Sequence, residues 1–488
     1  MDIKKALMDI VNSESNIRYA SLAAEKLVEV MLTDYLKKQN KAYETSKMTP
    51  QMLFDAWLPD GIDDIEGGVA LEIKIARNGH FFINRLYDII GRIALGGASI
   101  DSLLVVVIGE VPPYAVERFC DKEHQLNFNV RIWGIDKLVE IFQQNEELFA
   151  ETYMNLSKTL MQDTITSGIS RNDETHRAKK QEYLKQLNAE YKKDNIVLFL
   201  GAGAAKDANI AMWDALISEL YVALVDKQLR ERHILMDQES KEKLAKEIIE
   251  QNGNSPLLQT RFLRKGFEDG FEELVGEILY RNAKESSPLL EELGQLCIPN
   301  RGKLGIRAIV NYNFDDLVEK NLRRMRVKYR SIYSEGVVPM SEELGIYHVH
   351  GFIPQDKESY SKLTESLLVF SEEGYHKLML EPYNWANIVQ LNYMTNNTCV
   401  FIGLSMTDPN MRRLLEIAAQ KRPDDELCRH YAIMRRFKIG DSQEKDTVKS
   451  FEGVNESLQE SFFAELGINI IWVDEYSEIP KILQRIKD

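Results

Sequence analysis

Cysteine is scarce and long apolar runs are absent in this sequence of 488 residues. The four cysteines are far apart and form no C-x-x-C pair: Cys120, Cys297, Cys399 and Cys428. This spacing excludes a zinc ribbon and argues against a disulfide framework. No apolar run approaches the roughly 20 residues of a membrane span, and the first residues lack the apolar centre of a signal peptide. We therefore expect a cytoplasmic protein that does not bind membranes.

Positive charge is also in deficit. The sequence has 61 Lys and Arg residues against 76 Asp and Glu residues, which gives a formal net charge of -15. This balance argues against broad, nonspecific binding of nucleic acid by the whole molecule, but it leaves room for a local basic groove. The length exceeds what a single hydrophobic core supports, so two or three domains are expected.

Sequence patterns divide the chain into three segments. Residues 1–160 combine an amphipathic helix pattern with strand-like runs such as "VALEIKIA" and "SLLVVVIGEV", which indicate a smaller α/β domain. Residues 161–175 are polar without an apolar period and are predicted to form a linker. From 176 to 488, runs such as "IVLFL", "IRAIVNYN", "SLLVF" and "TCVFIGLS" alternate with helices and predict a Rossmann-like, doubly wound parallel sheet. An all-helical insertion is predicted at about 229–296.

A glycine pair interrupts the stretch "NIVLFLGAGAAKDANIAMW". An apolar strand pattern at 196–200 meets Gly201 and Gly203, and a helix pattern follows. This order places phosphates on backbone N–H groups and on a helix N-terminus. However, Lys206 stands where a Rossmann fingerprint needs its third glycine, and the G-K-[ST] of a Walker loop is absent. The loop therefore matches neither standard fingerprint.

Three later strand patterns end in polar residues or glycine, in "AIVNYNFDDLVE", "IYHVHGFIP" and "VFIGLSMTDPN". Their polar positions and glycines are Asn311, Asn313, Asp315, Asp316, His348, His350, Gly403, Ser405, Asp408 and Asn410. The two histidines alternate, so both are expected to point to one side. Each position alone has an ordinary structural explanation, such as a helix cap at Asp408. Because the carboxyl ends of parallel strands share one edge, the series predicts a nucleotide site there.

The motifs "GAGAA", "NFD", "HVHG" and "GLSMTDPN", in this order, resemble the sirtuin superfamily over residues 176–488. The resemblance is closest to the sirtuin-like NAD hydrolases of prokaryotic anti-phage defence. It implies an effector that cleaves NAD⁺ to nicotinamide and ADP-ribose and so depletes NAD⁺ in abortive infection. It implies catalytic roles for Asn313, His350 and Asp315. It also implies contacts with NAD⁺ by a second group of residues: Gly201, Ala202, Gly203, Gly403, Ser405 and Asp408.

The sequence departs from the family pattern at two points. Ala205 stands where the family loop usually has serine, and the zinc ribbon of the family's deacetylases has no cysteines to form it. The predicted helical insertion takes the place of that ribbon, which favours NAD⁺ hydrolysis without zinc over protein deacylation. The resemblance further implies that a homo-oligomer or a separately encoded sensor subunit holds the enzyme inactive. A non-catalytic scaffold that binds nucleotide remains an alternative.

The N-terminal segment carries a second constellation in "FDAWLPDGIDDIEGGVALEIKIA". Asp55 precedes Glu72 and Lys74 on a predicted strand, and this pattern resembles the Mrr-like, PD-(D/E)XK restriction-endonuclease domains that bind Mg²⁺. Glu25 is a further candidate ligand. An E-x-K on an amphipathic strand also arises by chance, and the acidic segment is unlike a tight DNA binder. Two interpretations stay open: a Mg²⁺-dependent nuclease whose sirtuin-like domain senses a nucleotide, or an inactive nuclease fold used for docking or oligomerisation.

Overall fold

A computed structural model describes residues 2–487 except 12–16, 46–47, 50–51, 77–85, 88, 92, 94–99, 110, 112, 115–126, 170–172, 252–255, 268–269, 300–304, 371, 422–428 and 439–444. The chain divides into two compact units. The N-terminal unit comprises Met1–Arg171, Ala419–Leu427 and Ile439–Glu465. The C-terminal unit comprises Asn172–Ala418, Cys428–Lys438 and Leu466–Asp488. None of the helices in the described ranges has the length and apolar character needed to cross a bilayer.

The N-terminal unit contains a five-stranded mixed sheet. The described strands of this unit are β1 (Glu44–Thr45), β2 (Met48–Thr49), β3 (Met52–Leu53), β4 (Ala56–Leu58), β5 (Val69–Ala76), β6 (Ser102–Gly109) and β7 (Asn129–Trp133). Strands β2 and β3 pair only with each other, as a separate hairpin. The sheet order is β1-β4-β5-β6-β7, with β5, β6 and β7 parallel and with β1 and β4 antiparallel. Strand β6 is buried along its whole length, as a central strand covered on both faces should be.

Helices pack on this sheet through their apolar stripes. They are α1 (Ile3–Val11), α2 (Ile17–Lys38), α3 (Ile135–Phe142), α4 (Glu146–Met154) and α5 (Leu156–Ile169). Leu7, Leu27 and Phe142 from three of these helices are buried in one cluster with Leu71 and Leu104 from the sheet. Helix α5 also occupies residues 161–169 of the predicted linker, and the boundary between the two units follows Arg171.

The C-terminal unit is built on a parallel sheet of seven strands. They are β8 (Ile196–Leu200), β9 (Ile306–Asn311), β10 (Tyr329–Ile332), β11 (Leu344–His348), β12 (Thr398–Ile402), β13 (His430–Arg435) and β14 (Ile468–Val473). Their order is β10-β11-β9-β8-β12-β13-β14, and every pairing is parallel. The predicted α/β class with a parallel, Rossmann-like sheet is confirmed here. The chain runs outward from β8 on one side and returns at β12 on the other, which creates a topological switch point between these two strands.

Helices cover this second sheet. They are α6 (Asp173–Lys192), α7 (Trp213–Glu231), α8 (Gln238–Gln251), α9 (Pro256–Phe267), α10 (Phe271–Tyr280), α11 (Pro288–Leu296), α12 (Leu317–Arg324), α13 (Glu372–Leu380), α14 (Trp385–Asn396), α15 (Pro409–Gln420) and, at the C-terminal end, Ile479–Lys487. The described residues of the predicted insertion, about 229–296, hold the end of α7 and helices α8 to α11. The core joins strand residues such as Leu198, Ile309 and Val400 to helix residues such as Leu220.

Near its C-terminal end the chain leaves one compact unit and later returns to it. After Lys438 the chain leaves the C-terminal unit, forms helix α16 (Lys445–Glu465) within the N-terminal unit, and returns at Leu466 to form β14 and the last helix, α17 (Ile479–Lys487). Helix α16 packs against α5 so closely that a Cβ on Gly168 would lie 2.6 Å from the Cα of Val454. Sequence patterns carry no sign of this exchange, because α16 has an ordinary amphipathic composition.

Two local predictions were wrong. The run "SLLVF" at 366–370 is not a strand but an extended segment, in which the Val369 N–H donates to the His350 carbonyl at 2.6 Å. Its last three residues are buried, and their apolar character reflects this burial outside the sheet. The helix after the glycine loop also begins late. Asn209 adopts a left-handed conformation (φ 58°) after two short 3₁₀ turns, and α7 starts at Trp213.

Candidate active site

Two glycine loops meet at the switch point between β8 and β12. The N–H of Gly201 donates to the Ile402 carbonyl at 3.0 Å, and the N–H of Gly203 donates to the Gly403 carbonyl at 2.9 Å. Gly403 has a φ of +68°, and a Cβ on Gly203 would lie 2.7 Å from the Gly403 Cα. The loops therefore pack backbone against backbone, which requires glycine on both sides. The same hydrogen bonds engage the N–H groups of Gly201 and Gly203 within the protein.

A cavity of about 520 Å³ opens at this carboxyl edge of the sheet. Eight of the nine residues predicted for the sirtuin-like site line it, and Gly203 is the exception. The eight are Gly201, Ala202, Asn313, Asp315, His350, Gly403, Ser405 and Asp408. Apolar side chains, among them Trp213 at the start of α7 and Leu279 from α10, form another part of the wall. A few convergent polar groups in a largely apolar cavity are typical of a small-molecule site.

Asn313, which follows β9, is held at three atoms. Its backbone N–H donates to Asn311 Oδ1 at 3.1 Å, and its side-chain Nδ2 donates to the Gly201 carbonyl at 3.1 Å. Its carbonyl oxygen lies 3.2 Å from His348 Nδ1. The residue is 8% exposed and faces the cavity. These contacts fix both its backbone and the plane of its side-chain amide.

His350 and Asp408 form a histidine–carboxylate pair that also lines the cavity. His350 Nε2 lies 3.4 Å from Asp408 Oδ2, and the hydroxyl of Tyr375 on α13 donates to the same oxygen at 2.7 Å. Asp408 Oδ1 accepts from the Met411 N–H at 2.6 Å, so the carboxylate also caps α15. Burial lowers the pKa of His350 and the Asp408 charge opposes this, with a net shift below the ordinary value. His350 is therefore neutral at pH 7.

Asp315 brings a buried carboxyl group to the cavity. Its Oδ1 accepts from the Leu317 N–H at 3.1 Å. Its Oδ2 is buried and has no hydrogen-bond partner among the described residues. Burial, reinforced by the charges of Glu319 and Asp316, raises the pKa of Asp315 to about 6. A buried carboxyl group with a strongly raised pKa at the wall of a cavity is typical of a functional site.

The remaining predicted residues lie at different distances from this cavity. His348 does not line it, although it was expected to point to the same side as His350; it instead contacts Glu319 behind the wall. Ser405 lines the cavity and its hydroxyl lies 2.7 Å from Thr407 Oγ1. Ala205, where the family has serine, is buried. Lys206 is exposed, with its ammonium 5.9 Å from the Tyr476 ring centroid.

Sequence reasoning missed the aromatic residues of the site, of which Tyr312 and Tyr375 contact the histidine–carboxylate pair. Tyr312 lies inside the "NYNFD" motif, lines the cavity and packs edge-on against the His350 ring at 4.5 Å between centroids. The strand-end argument could have found it, because it follows the last residue of β9. Tyr375 gave no signal, since it sits in a helix far from every motif and reaches Asp408 only through the tertiary fold.

The constellation predicted in the N-terminal unit is also brought together. The Lys74 ammonium lies 2.6 Å from Glu72 Oε2 and 3.3 Å from Asp55 Oδ2, and Asp55 also accepts from the Ile73 N–H at 2.7 Å. Glu25 on α2 is half-buried. Burial raises the pKa of Tyr43, and the negative charges of Asp55 and Glu25 add to this shift. Within the described ranges, no group of three or more His, Cys, Asp or Glu side chains is arranged to hold a metal ion.

Comparisons with known proteins bear on the C-terminal unit. Residues 307–470 match the family described as SIR2-like domain. The chain is similar to the NAD(+) hydrolase ThsA of Enterococcus faecium, with 23% identity over 322 residues that cover 63% of this chain and 58% of the relative. It is also similar to the NAD(+) hydrolase ThsA of Bacillus cereus (strain MSX-D12), with 22% identity over 314 residues, or 63% and 56% of the two chains.

These matches cover only part of each relative. The chain spans a little over half the length of these curated relatives. The SIR2-like match agrees with the resemblance predicted from the motifs after β9, β11 and β12. The matches give no support to a nuclease-like fold in the N-terminal unit.

Proposed function

We propose that the C-terminal unit hydrolyses the nicotinamide–ribose bond of NAD⁺. The observation that carries this proposal is that Asn313, Asp315 and His350 line one and the same cavity at the sheet's switch point. A switch point in an open α/β sheet is where such folds bind nucleotides. The similarity to two proteins named NAD(+) hydrolase supports the same conclusion.

The two glycine loops would hold the dinucleotide. Ala202 and the glycines beside it would let the substrate's pyrophosphate approach the backbone closely, with Gly403 and Ser405 on the adenosine side. Because the N–H groups of Gly201 and Gly203 already donate to carbonyls, we expect these glycines to contribute close approach and not hydrogen bonds.

Asp315 would act on the charged end of the substrate. The nicotinamide ring of NAD⁺ is cationic, and the Asp315 carboxylate has a buried oxygen without a partner among the described residues. When the ribose C1′–N bond breaks, its electron pair leaves with nicotinamide and positive charge passes to the ribose. A fixed carboxylate in a site of low dielectric stabilises that charge as it develops.

His350 would accept the proton of the attacking water. The water oxygen forms a bond to ribose C1′ and loses one proton, so the products are ADP-ribose, nicotinamide and a proton. A histidine whose pKa lies below the ordinary value is free to accept a proton at pH 7. Asp408 would then stabilise the imidazolium, and Asn313 would orient the water or the ribose hydroxyls through its amide oxygen.

The test follows NAD⁺ and its products with the purified full chain, with and without extract of phage-infected cells. Asn313→Ala and His350→Ala should each abolish release of nicotinamide and ADP-ribose. His376→Ala, which alters an exposed histidine of the same unit, is the matched control and should retain activity. Unchanged NAD⁺ consumption in both site variants would refute the proposal. NAD⁺ binding by the wild type without turnover would favour a nucleotide-binding scaffold.

We further infer a biological setting from the resemblance. The enzyme would act as an effector that depletes NAD⁺ during phage infection, in the cytoplasm. A free NAD⁺ hydrolase is toxic to its own cell, so the enzyme would be held inactive as a homo-oligomer or by a separately encoded sensor. Cellular NAD⁺ measured before and after infection, in cells carrying the wild type or His350→Ala, tests this setting.

A second candidate function concerns residues 1–160, proposed to be a restriction-endonuclease-like domain. A nuclease function is favoured by the contacts that join Asp55, Glu72 and Lys74. The two carboxylates would hold Mg²⁺, which supplies an activated water in such sites, and Lys74 would orient that water. Mg²⁺-dependent DNA cleavage that is lost in Lys74→Ala and Asp55→Ala would support a nuclease. Absence of cleavage in the wild type would favour docking or oligomerisation.

A further inference from the structure

A second buried histidine lies behind the wall of the cavity. His348 is the last residue of β11 and is 1% exposed. Its Nε2 lies 2.6 Å from Glu319 Oε1 on α12, and its Nδ1 lies 3.2 Å from the Asn313 carbonyl oxygen. The ring also packs against Phe352 at 4.0 Å between centroids. Neither His348 nor Glu319 is among the residues that line the cavity.

The hydrogen-bond partners determine where the protons of this pair lie. A backbone carbonyl can only accept, so His348 Nδ1 carries a proton and donates it to Asn313. Nε2 and Glu319 then share the remaining proton, as imidazolium with carboxylate or as imidazole with carboxylic acid. Ser331 donates to the same Glu319 oxygen at 2.9 Å. In either form the ring is fixed at opposite edges by two hydrogen bonds.

The two hydrogen bonds of His348, to Glu319 and to the Asn313 carbonyl, form a clamp that fixes the backbone of Asn313. Its N–H, its carbonyl and its side-chain Nδ2 are all engaged, by Asn311, His348 and Gly201. Among the contacts found for the described residues, none involves its Oδ1, and the residue lines the cavity. The direction of that one free oxygen is therefore set by the three contacts together, of which the His348 contact is the longest.

We propose that Glu319 and His348 are positioning residues for Asn313 in NAD⁺ cleavage. They hold its backbone carbonyl and so keep Oδ1 aimed at the reacting ribose. This inference rests on the function proposed above. Loss of the clamp should slow the chemical step and leave binding nearly unchanged, because a misplacement of about 1 Å can reduce a rate roughly a hundredfold.

Three variants separate positioning from plain core packing. Glu319→Leu removes the acceptor for His348. Glu319→Gln keeps the clamp, since its amide can donate to both His348 Nε2 and Ser331 Oγ while Nδ1 still donates to Asn313. Asn321→Leu is the matched control, because Asn321 is buried on the same helix but bonds Glu285 and Leu317.

The measurement is kcat and KM for NAD⁺ cleavage per folded protein, with the unfolding temperature recorded for each variant. We expect Glu319→Leu to lower kcat about tenfold to a hundredfold with little change in KM. Glu319→Gln should keep most of the activity. Asn321→Leu should lower the unfolding temperature but keep kcat. Wild-type kcat in folded Glu319→Leu would overturn this role alone, as would equal losses in Glu319→Leu and Glu319→Gln. Absence of cleavage by the wild type under all conditions would refute the proposed function itself.

Discussion

Replacing Asp315 with asparagine is expected to stabilise the C-terminal unit at neutral pH and to lower its activity. The carboxyl group is buried, its Oδ1 accepts one backbone N–H, and its Oδ2 has no partner among the described residues. Burial raises its pKa from the ordinary 3.8 to about 6. The folded protein therefore holds this proton more tightly than the unfolded chain does.

The size and sign of the effect follow from that difference. A shift of one pKa unit corresponds to about 1.4 kcal/mol, so the charge at Asp315 costs roughly 3 kcal/mol of stability where it is fully ionised. The pKa is raised, so the cost is absent below about pH 4 and complete above about pH 7. The asparagine amide places two N–H donors where Oδ2 has no partner, which takes back about 1 to 3 kcal/mol at every pH.

The assay compares the free energy of unfolding by urea of wild type and Asp315→Asn between about pH 4 and pH 8. Unfolding of the C-terminal unit is followed by hydrogen exchange of the amides in β8 and β9. The stability difference should change in favour of the variant by about 2 to 3 kcal/mol across this range. Asp316→Asn is the control. Asp316 is buried but bonded to Tyr280 at 2.9 Å and Lys320 at 3.0 Å, so its replacement should destabilise.

Activity should move in the opposite direction. If Asp315 acts on the substrate as proposed, Asp315→Asn should lower the rate of NAD⁺ cleavage about a hundredfold, because the charge that would stabilise the cationic ribose is gone. In the wild type, kcat/KM should fall as pH drops through about 6, where Asp315 takes up its proton. A stability difference that does not vary with pH, or a variant that is stable and fully active, would refute this reasoning.

Three further changes have defined outcomes. Tyr375→Phe removes a hydrogen bond to Asp408 and should lower kcat about tenfold without altering the fold, as judged by circular dichroism. Gly203→Ala places a methyl group 2.7 Å from the opposing loop backbone and should destabilise by about 1 to 3 kcal/mol, whereas Gly91→Ala, with open space around it, should be neutral in thermal unfolding. Gly168→Ala should loosen the contact of α5 with α16 and lower the unfolding temperature; an unchanged temperature would contradict the close packing.

The parallel sheet of the C-terminal unit, and the polar residues at the carboxyl ends of its strands, could be predicted from sequence because their signals are local. Buried parallel strands are short apolar runs, and the polar residues after β9, β11 and β12 mark where those runs stop. Strand β10 of the seven-stranded sheet was not predicted, because it reads "YRSI" and lies at the sheet edge, where polar side chains reach solvent. Conversely, the last three residues of "SLLVF" are buried outside the sheet, so an apolar buried run alone does not make a strand.

The partners of the site residues could not be predicted, because they come from long-range packing. His350 was identified from its motif, but its contacts with Asp408 and Tyr375 join three separate elements. The Glu319–His348 pair is hidden for the same reason, since a glutamate in a helix is usually exposed. Sequence patterns indicate which residues end a strand, and only the fold decides which of them touch.

Helix α16 determines the order in which a newly made chain can finish folding. Domains commonly fold as they emerge from the ribosome, starting at the N-terminus. Here the N-terminal unit lacks a helix that packs on α5 until residue 465 has been synthesised, and the C-terminal sheet lacks β14 until residue 473. Neither unit can be completed before helix α16 and strand β14 have been made, so the two units are completed at nearly the same point of synthesis. A prematurely terminated chain would leave both of them unfinished.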